Sequence, residues 1–137
     1  MENKMFCFQC EQTAGCSACT GKAGVCGKSA AAAALQDELT GALIGLARAT
    51  DGDTTPTENT YRTIIEGLFA TVTNVSFDDE AIRLQIEKTH KEKETLVPLC
   101  SGCASPCGRN EDYDMNQIWE APEDIRSLKS LLFFGMM

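Results

Sequence analysis

The chain has 137 residues, 43% of them hydrophobic, and a formal charge of −8, a length that supports one core rather than two. With no run of basic residues, the acidic balance argues against nucleic acid as a partner. Eight cysteines follow no export signal, since MENKMFCFQC lacks an apolar stretch behind a basic start, and no run reaches the length of a membrane span; the expected setting is a reducing cytoplasm, where clustered thiols bind metal or do redox chemistry more often than they form disulfides.

Residues 1–28 hold five of the cysteines (Cys7, Cys10, Cys16, Cys19 and Cys26) together with Gly15, Gly21, Gly24 and Gly27, and show little periodicity. They read as a loop wrapped around a ligand. At Ser29 the character changes. An alanine run predicts a helix with Ser29 as its N-cap and with Leu35, Leu39, Ala42, Leu43 and Leu46 as one apolar stripe. Residues 51–57, DGDTTPT, end it.

A second helix is predicted over 58–74, its core face formed by Tyr61, Ile64, Ile65, Leu68, Phe69 and Val72, with four threonines weakening its propensity. A third starts at Ser76, Asp78 and Asp79, carboxylates at the positive end of the dipole. Its face is Ile82, Ile86 and Thr89, and HKEKE (90–94) reads as a solvated, charge-laced end. His90, the one histidine, is expected on that surface. A last helix starts near Pro122 with Glu123 and Asp124 behind it and carries Ile125, Leu128, Leu131 and Leu132.

The fold class is therefore all-α: a helical bundle with an N-terminal cysteine-rich loop and a second cysteine-rich loop. The chain is expected to be one domain, with the loop at 1–28, helices over 29–99, a cysteine-rich loop at 100–121 and a final helix begun at 122–137. That helix, SLKSLLFFGMM, stops without a polar turn. Exposed, it would aggregate, so a partner covers it or the chain is truncated.

Iron–sulfur clusters take thiolates because soft sulfide-bridged iron prefers soft ligands, and four cysteines complete a cubane. Cys7 and Cys10 form a CxxC pair, and small residues nearby let backbone N–H groups point at the sulfurs. Two sets compete by spacing alone, namely Cys7, Cys10, Cys19 and Cys26, or the same with Cys16 in place of Cys19. Zinc also takes four thiolates, although the gap between the CxxC pairs is shorter than usual for zinc knuckles. Iron–sulfur, zinc, and disulfides or a redox dithiol stay open at this point, in that order.

Met5 to Lys28, with FCFQCEQTA, CT and GVCGK, resembles the N-terminus of the hybrid cluster proteins, also called prismane proteins or hydroxylamine reductases. The resemblance continues through ALQDELTGALIGLA, GLFATVTNVSFDD (67–79) and EDIRSLKSLLFFGM (123–136), and so covers the whole chain in the family's order. It implies a helical N-terminal domain holding a 4Fe-4S cluster, with 2Fe-2S the lesser alternative, through Cys7, Cys10, Cys19 and Cys26. The last gap departs from the short-gap pattern by one residue. The resemblance further implies reduction of hydroxylamine to ammonia, a link to nitric oxide detoxification in anaerobes, and catalysis at a second, hybrid cluster in later domains. Those missing catalytic domains and a redox donor protein are the implied partners. No catalytic residue is expected in this chain, which alone should be inactive.

Cys100, Cys103 and Cys107, in CSGCASPCG, are compact enough for one site, with Cys16 as a fourth ligand. A second metal, zinc or iron–sulfur, competes here with plain thiols facing the missing domains. The competing function is a zinc-stabilised helical binding module with no redox role.

Overall fold

The structure, a computed structural model, describes residues 5–7, 9, 10, 15, 18–50, 55–72, 77–97 and 111–135. Five helices occur among them: α1 (Ala30–Ala49), α2 (Glu58–Val72), α3 (Asp79–Leu96), the single turn α4 (Asn116–Trp119) and α5 (Glu123–Gly135). There is no strand among the described residues, only two isolated backbone bridges near the N-terminus. The all-α expectation holds. The predicted helix start at Ser76 and the end of α2 at Asn74 lie outside the described residues.

α1 is the spine, packed against both α2 and α3. Ser29 caps it as predicted, its side-chain oxygen accepting from the Ala32 N–H at 3.0 Å. The stripe Leu35, Leu39, Ala42, Leu43 and Leu46 is buried throughout. Leu35, Leu39 and Leu43 meet Ile82 and Ile86 of α3 and Leu68 of α2 in the main core, and Leu46, Ala49 and Leu96 close its far end. Asp78 caps α3 by accepting from the Glu80 and Ala81 N–H groups.

The predicted face of α2 is overturned in part. On α2 the buried residues are Thr60, Thr63, Gly67 and Thr71, while Tyr61, Ile65 and Phe69 are exposed and Ile64 and Leu68 are half-buried. Small side chains bring α2 close to α1: a Cβ on Gly67 would stand 2.7 Å from Leu43 Cδ2. On α5, Leu128, Leu131 and Leu132 are 63%, 71% and 64% exposed, so its stripe faces outward, the apolar surface for which the sequence calls for a cover.

The charged end of α3 is also less solvated than expected, because Glu92 and Lys93 are buried. Glu92 completes the cap of α2. Thr57 and Thr60 exchange bonds, each backbone N–H donating to the other's hydroxyl, in the manner of a capping box. The Glu92 carboxylate then accepts from Thr60 Oγ1 at 2.6 Å, from Thr57 Oγ1 at 3.2 Å and from Asn59 Nδ2. The Thr60 bond, helped by Asn59 and Thr57, outweighs burial and holds its pKa below the usual glutamate value. A depressed carboxyl pKa stabilises the fold above the unfolded value, about 4.3, and that contribution is lost as pH falls through the folded value. Glu92→Ala should therefore cost about 2 kcal/mol near neutrality, and its deficit against the parent should shrink below about pH 4. Denaturant titrations across that range test it; a deficit independent of pH would show that the carboxylate charge is irrelevant.

Lys93 Nζ and His90 Nε2 both bond Asp112, at 2.5 and 2.7 Å. Burial raises the Asp112 pKa, but the hydrogen bonds from Lys93 and His90 together outweigh it and leave it lowered. His90 is thus a half-exposed tether rather than a purely solvated side chain. The segment 111–113 lies in a notch made by Gly41 and Gly45, where a Cβ would come within 2.3 Å of Tyr113 O and 2.9 Å of Asp112 Oδ1 respectively. Tyr113 N–H donates to Gly41 O at 3.0 Å. That docking delivers Met115, Ile118 and Trp119 to a small core with Phe6, Ile44 and Tyr113.

Candidate cluster-binding site

Cys7 and Cys19 are drawn together by an antiparallel bridge, Cys7 N–H donating to Cys19 O at 3.1 Å and Cys19 N–H to Cys7 O at 2.8 Å. Both are buried and pack with Met5 and Ala33. A second bridge, Ala23 to Ser29, closes a tight turn. Gly27 N–H donates to Gly24 O at 2.9 Å, and Gly24 N–H donates to Lys28 O at 2.8 Å. Gly27 has φ +89, a conformation open to glycine and strained for other residues. Cys26 sits exposed at the tip of this turn. A Cβ on Gly24 would stand 3.4 Å from both Cys26 Sγ and Met5 Cε, which places the turn beside the Cys7–Cys19 pair. Cys10 is half-buried, and none of the four is in a disulfide.

Beneath the pair lies Lys28, fully buried. Its ammonium donates to Gln9 Oε1 at 2.7 Å and to Gln36 Oε1 of α1, and stands 3.7 Å from Cys7 Sγ. Gln36, itself fully buried, donates through Nε2 to Ala70 O of α2 at 3.3 Å. Burial pushes the Cys7 thiol pKa up, while the Gln9 backbone N–H and the Lys28 charge pull the other way without cancelling it. Asp37, one residue beyond Gln36, is pushed up to about 7 by burial, against the Trp119 indole N–H and the Lys28 charge. Trp119 Nε1 donates to Asp37 Oδ2 at 3.0 Å. Its ring lies 5.4 Å from Phe6, and the Arg126 guanidinium stands 5.9 Å over Phe6. The cysteine loop is thus gripped by α1 on one side and by α4 and α5 on the other.

The four thiols predicted as ligands therefore belong to one short segment. Cys7 and Cys19 are adjacent, and Cys26 is held next to them through Gly24 and Met5. Among the described residues, no three cysteine, histidine, aspartate or glutamate side chains converge to metal-ligand distances. The donor set nonetheless fits a thiolate-ligated cluster, all sulfur on a glycine-bearing loop with a buried cation beside one thiol. The second predicted site, Cys16, Cys100, Cys103 and Cys107, lies outside the described residues. Sequence reasoning misses Lys28, Gln36, Asp37 and Trp119 as parts of this site. For Lys28 the signal is its place between a candidate ligand and a helix cap.

A family model described as the Prismane/CO dehydrogenase family matches residues 5–137. The chain is similar to the hydroxylamine reductase of Porphyromonas gingivalis, 37% identical over 155 residues, and to that of Clostridium perfringens, 36% identical over 153 residues. It is 48% identical over 154 residues to the hydroxylamine reductase of Thermodesulfovibrio yellowstonii. These alignments cover 99%, 96% and 96% of this chain but 28% of each relative. The chain therefore spans little more than a quarter of the length of the curated relatives it matches.

Proposed function

We propose, from the premise that this chain belongs to the Prismane/CO dehydrogenase family, that it is the iron–sulfur electron-relay part of a hydroxylamine reductase. Cys7, Cys10, Cys19 and Cys26 would hold a 4Fe-4S cluster, which supplies one-electron uptake and release. The observation that carries this reading is the buried Cys7–Cys19 pair with the Lys28 ammonium against it. A cation beside a thiol favours its anionic form, the form that ligates iron. The helical body does the rest. α1 presents its capped N-terminus directly after Lys28, and the Phe6–Trp119 contact fixes the loop against α4.

Every proposed ligand here is a thiol, so no coordination position is left for a substrate. Hydroxylamine reduction and the associated protection against nitrosative stress are assigned to domains beyond this segment, where the hybrid cluster would lie. The outward stripe of α5 supports a covering partner, because contiguous apolar faces of this kind mark interaction sites; we assign it to those domains. The electron donor would be a separate redox protein, and the setting a reducing cytoplasm. No helix among the described residues is long and apolar enough to cross a membrane.

Anaerobic reconstitution with ferrous iron and sulfide tests the reading. The chain should take up iron and acid-labile sulfide in equal amounts, acquire broad visible absorption that bleaches with dithionite, and reduce no hydroxylamine. Binding of zinc alone would overturn the relay, and robust turnover would overturn the division of labour.

A further inference from the structure

We infer that Lys28 is a built-in countercharge for the sulfur site, a positioning residue whose buried ammonium biases the reduction equilibrium of a cluster held by Cys7, Cys10, Cys19 and Cys26. The inference rests on the relay reading above and adds what sets the relay's potential.

An isolated ammonium is among the most costly groups to bury, and buried lysines are normally paired with a carboxylate. Lys28 has 0% exposure. Its hydrogen-bond partners among the described residues are two neutral amide oxygens and one sulfur, and no carboxylate there stands within ion-pair distance of it. Asp37 acts on it only through space. The two glutamines satisfy its protons but contribute no charge. They also aim it, because Gln9 lies in the FCFQC segment while Gln36 is anchored across to Ala70 of α2. The remaining contact, Cys7 Sγ at 3.7 Å, is where negative charge arises when the thiol becomes a ligand. A cation pinned from both sides by neutral amides and pointed at a ligand sulfur, with no carboxylate among the described residues at ion-pair distance, is a site arranged for an anion.

A thiolate cluster becomes more negative on taking an electron, so a fixed cation at short range in a low-dielectric pocket favours the reduced form. Removing that charge makes reduction harder. Keeping the charge in a different shape leaves it nearly unchanged. In the metal-free chain the sign reverses, since among the described residues the lysine then has only neutral hydrogen-bond partners and its burial is a burden.

The test uses the full chain as parent, K28M and K28R, each reconstituted anaerobically, with potentiometric titration of the visible or paramagnetic signal and denaturant melts of the metal-free forms. K28M should titrate at a more negative midpoint, by at least about tenfold in the reduction equilibrium, which is about 59 mV for one electron. K28R should stay within about threefold. Metal-free K28M should melt at the parent's denaturant midpoint or above it, an outcome that supports the inference even if K28M fails to load. A loaded K28M with the parent's midpoint, or a metal-free K28M that does not fold, would overturn it and reduce Lys28 to a structural strut. If the parent itself takes up no iron, the relay reading fails instead.

Discussion

Replacing Gly41 by alanine should destabilise the chain by about 3 kcal/mol, although the same change in an exposed helix interior normally stabilises by about 0.5–1 kcal/mol. The difference comes from what the methyl group meets. A Cβ at position 41 would stand 2.3 Å from Tyr113 O and 3.3 Å from Tyr113 C, and backbone cannot rotate aside as a side chain can. Relief requires the 111–113 segment to lift from α1. Lifting breaks the Tyr113 N–H to Gly41 O bond and strains the Lys93 and His90 bonds to Asp112. It also withdraws Met115, Ile118 and Trp119 from their core. Overpacking of this kind ordinarily costs about 1–3 kcal/mol, with the upper end expected where only backbone can yield. Trp119, the one tryptophan, reports the event directly, because its buried indole bonded to Asp37 should move into water and shift its emission to the red. Gly67→Ala is the control. Its Cβ would meet the flexible end of Leu43, so it should cost about 1 kcal/mol or less and leave Trp119 emission unchanged. An emission shift no larger for Gly41→Ala than for Gly67→Ala would sink the argument.

The contrast between α1 and α2 shows what sequence periodicity can and cannot carry. α1 is legible because cap, propensity and stripe agree: Ser29, the alanine run and the leucines all point to one helix buried on one side. α2 offers two stripes, the apolar one of Tyr61, Ile64, Ile65, Leu68, Phe69 and Val72, of which Ile64 and Leu68 touch the core, and one of Thr60, Thr63, Gly67 and Thr71. Hydrophobicity selects the first. The fold selects the second, because close approach to Leu43 needs Gly67, and the buried hydroxyls of Thr60 and Thr71 find oxygen partners in Glu92 and the Leu68 carbonyl. In the same way HKEKE reads as solvated, since nothing local discloses that Glu92 caps another helix or that Lys93 holds Asp112.

The site divides along a similar line. Cysteines advertise themselves, because few roles compete for clustered thiols in a reducing compartment. Lys28 does not, because a lysine earns meaning only from partners 8, 19 and 21 positions away in the chain. The short helix α4 is likewise invisible to periodicity. One turn has no period, and its register depends on the glycine notch of α1 rather than on its own residues.

Four single substitutions, Cys7→Ala, Cys10→Ala, Cys19→Ala and Cys26→Ala, should each cut iron retention at limiting iron sharply, while Cys16→Ala should leave it near the parent's. Loss of an outer-shell partner typically costs about 10- to 100-fold in metal affinity, and loss of a ligand should cost at least as much. The four should not behave alike in stability. Cys7 and Cys19 are buried and exchange backbone bonds, so their variants leave a cavity beside Met5 and Ala33 in addition to losing a ligand. Cys26 is exposed at the tip of the Gly24–Gly27 turn, and its metal-free variant should melt with the metal-free parent. Binding adds stability only while iron is present, by about 4 kcal/mol at a thousandfold excess over the dissociation constant. The loaded-minus-empty difference in melting should therefore collapse in all four variants, with the empty forms separating Cys7 and Cys19 from Cys26. Iron analysis and paired melts read both quantities. A Cys19→Ala chain that keeps its iron while Cys16→Ala loses it would move the third ligand to position 16, and retention in both would break the four-thiolate assignment.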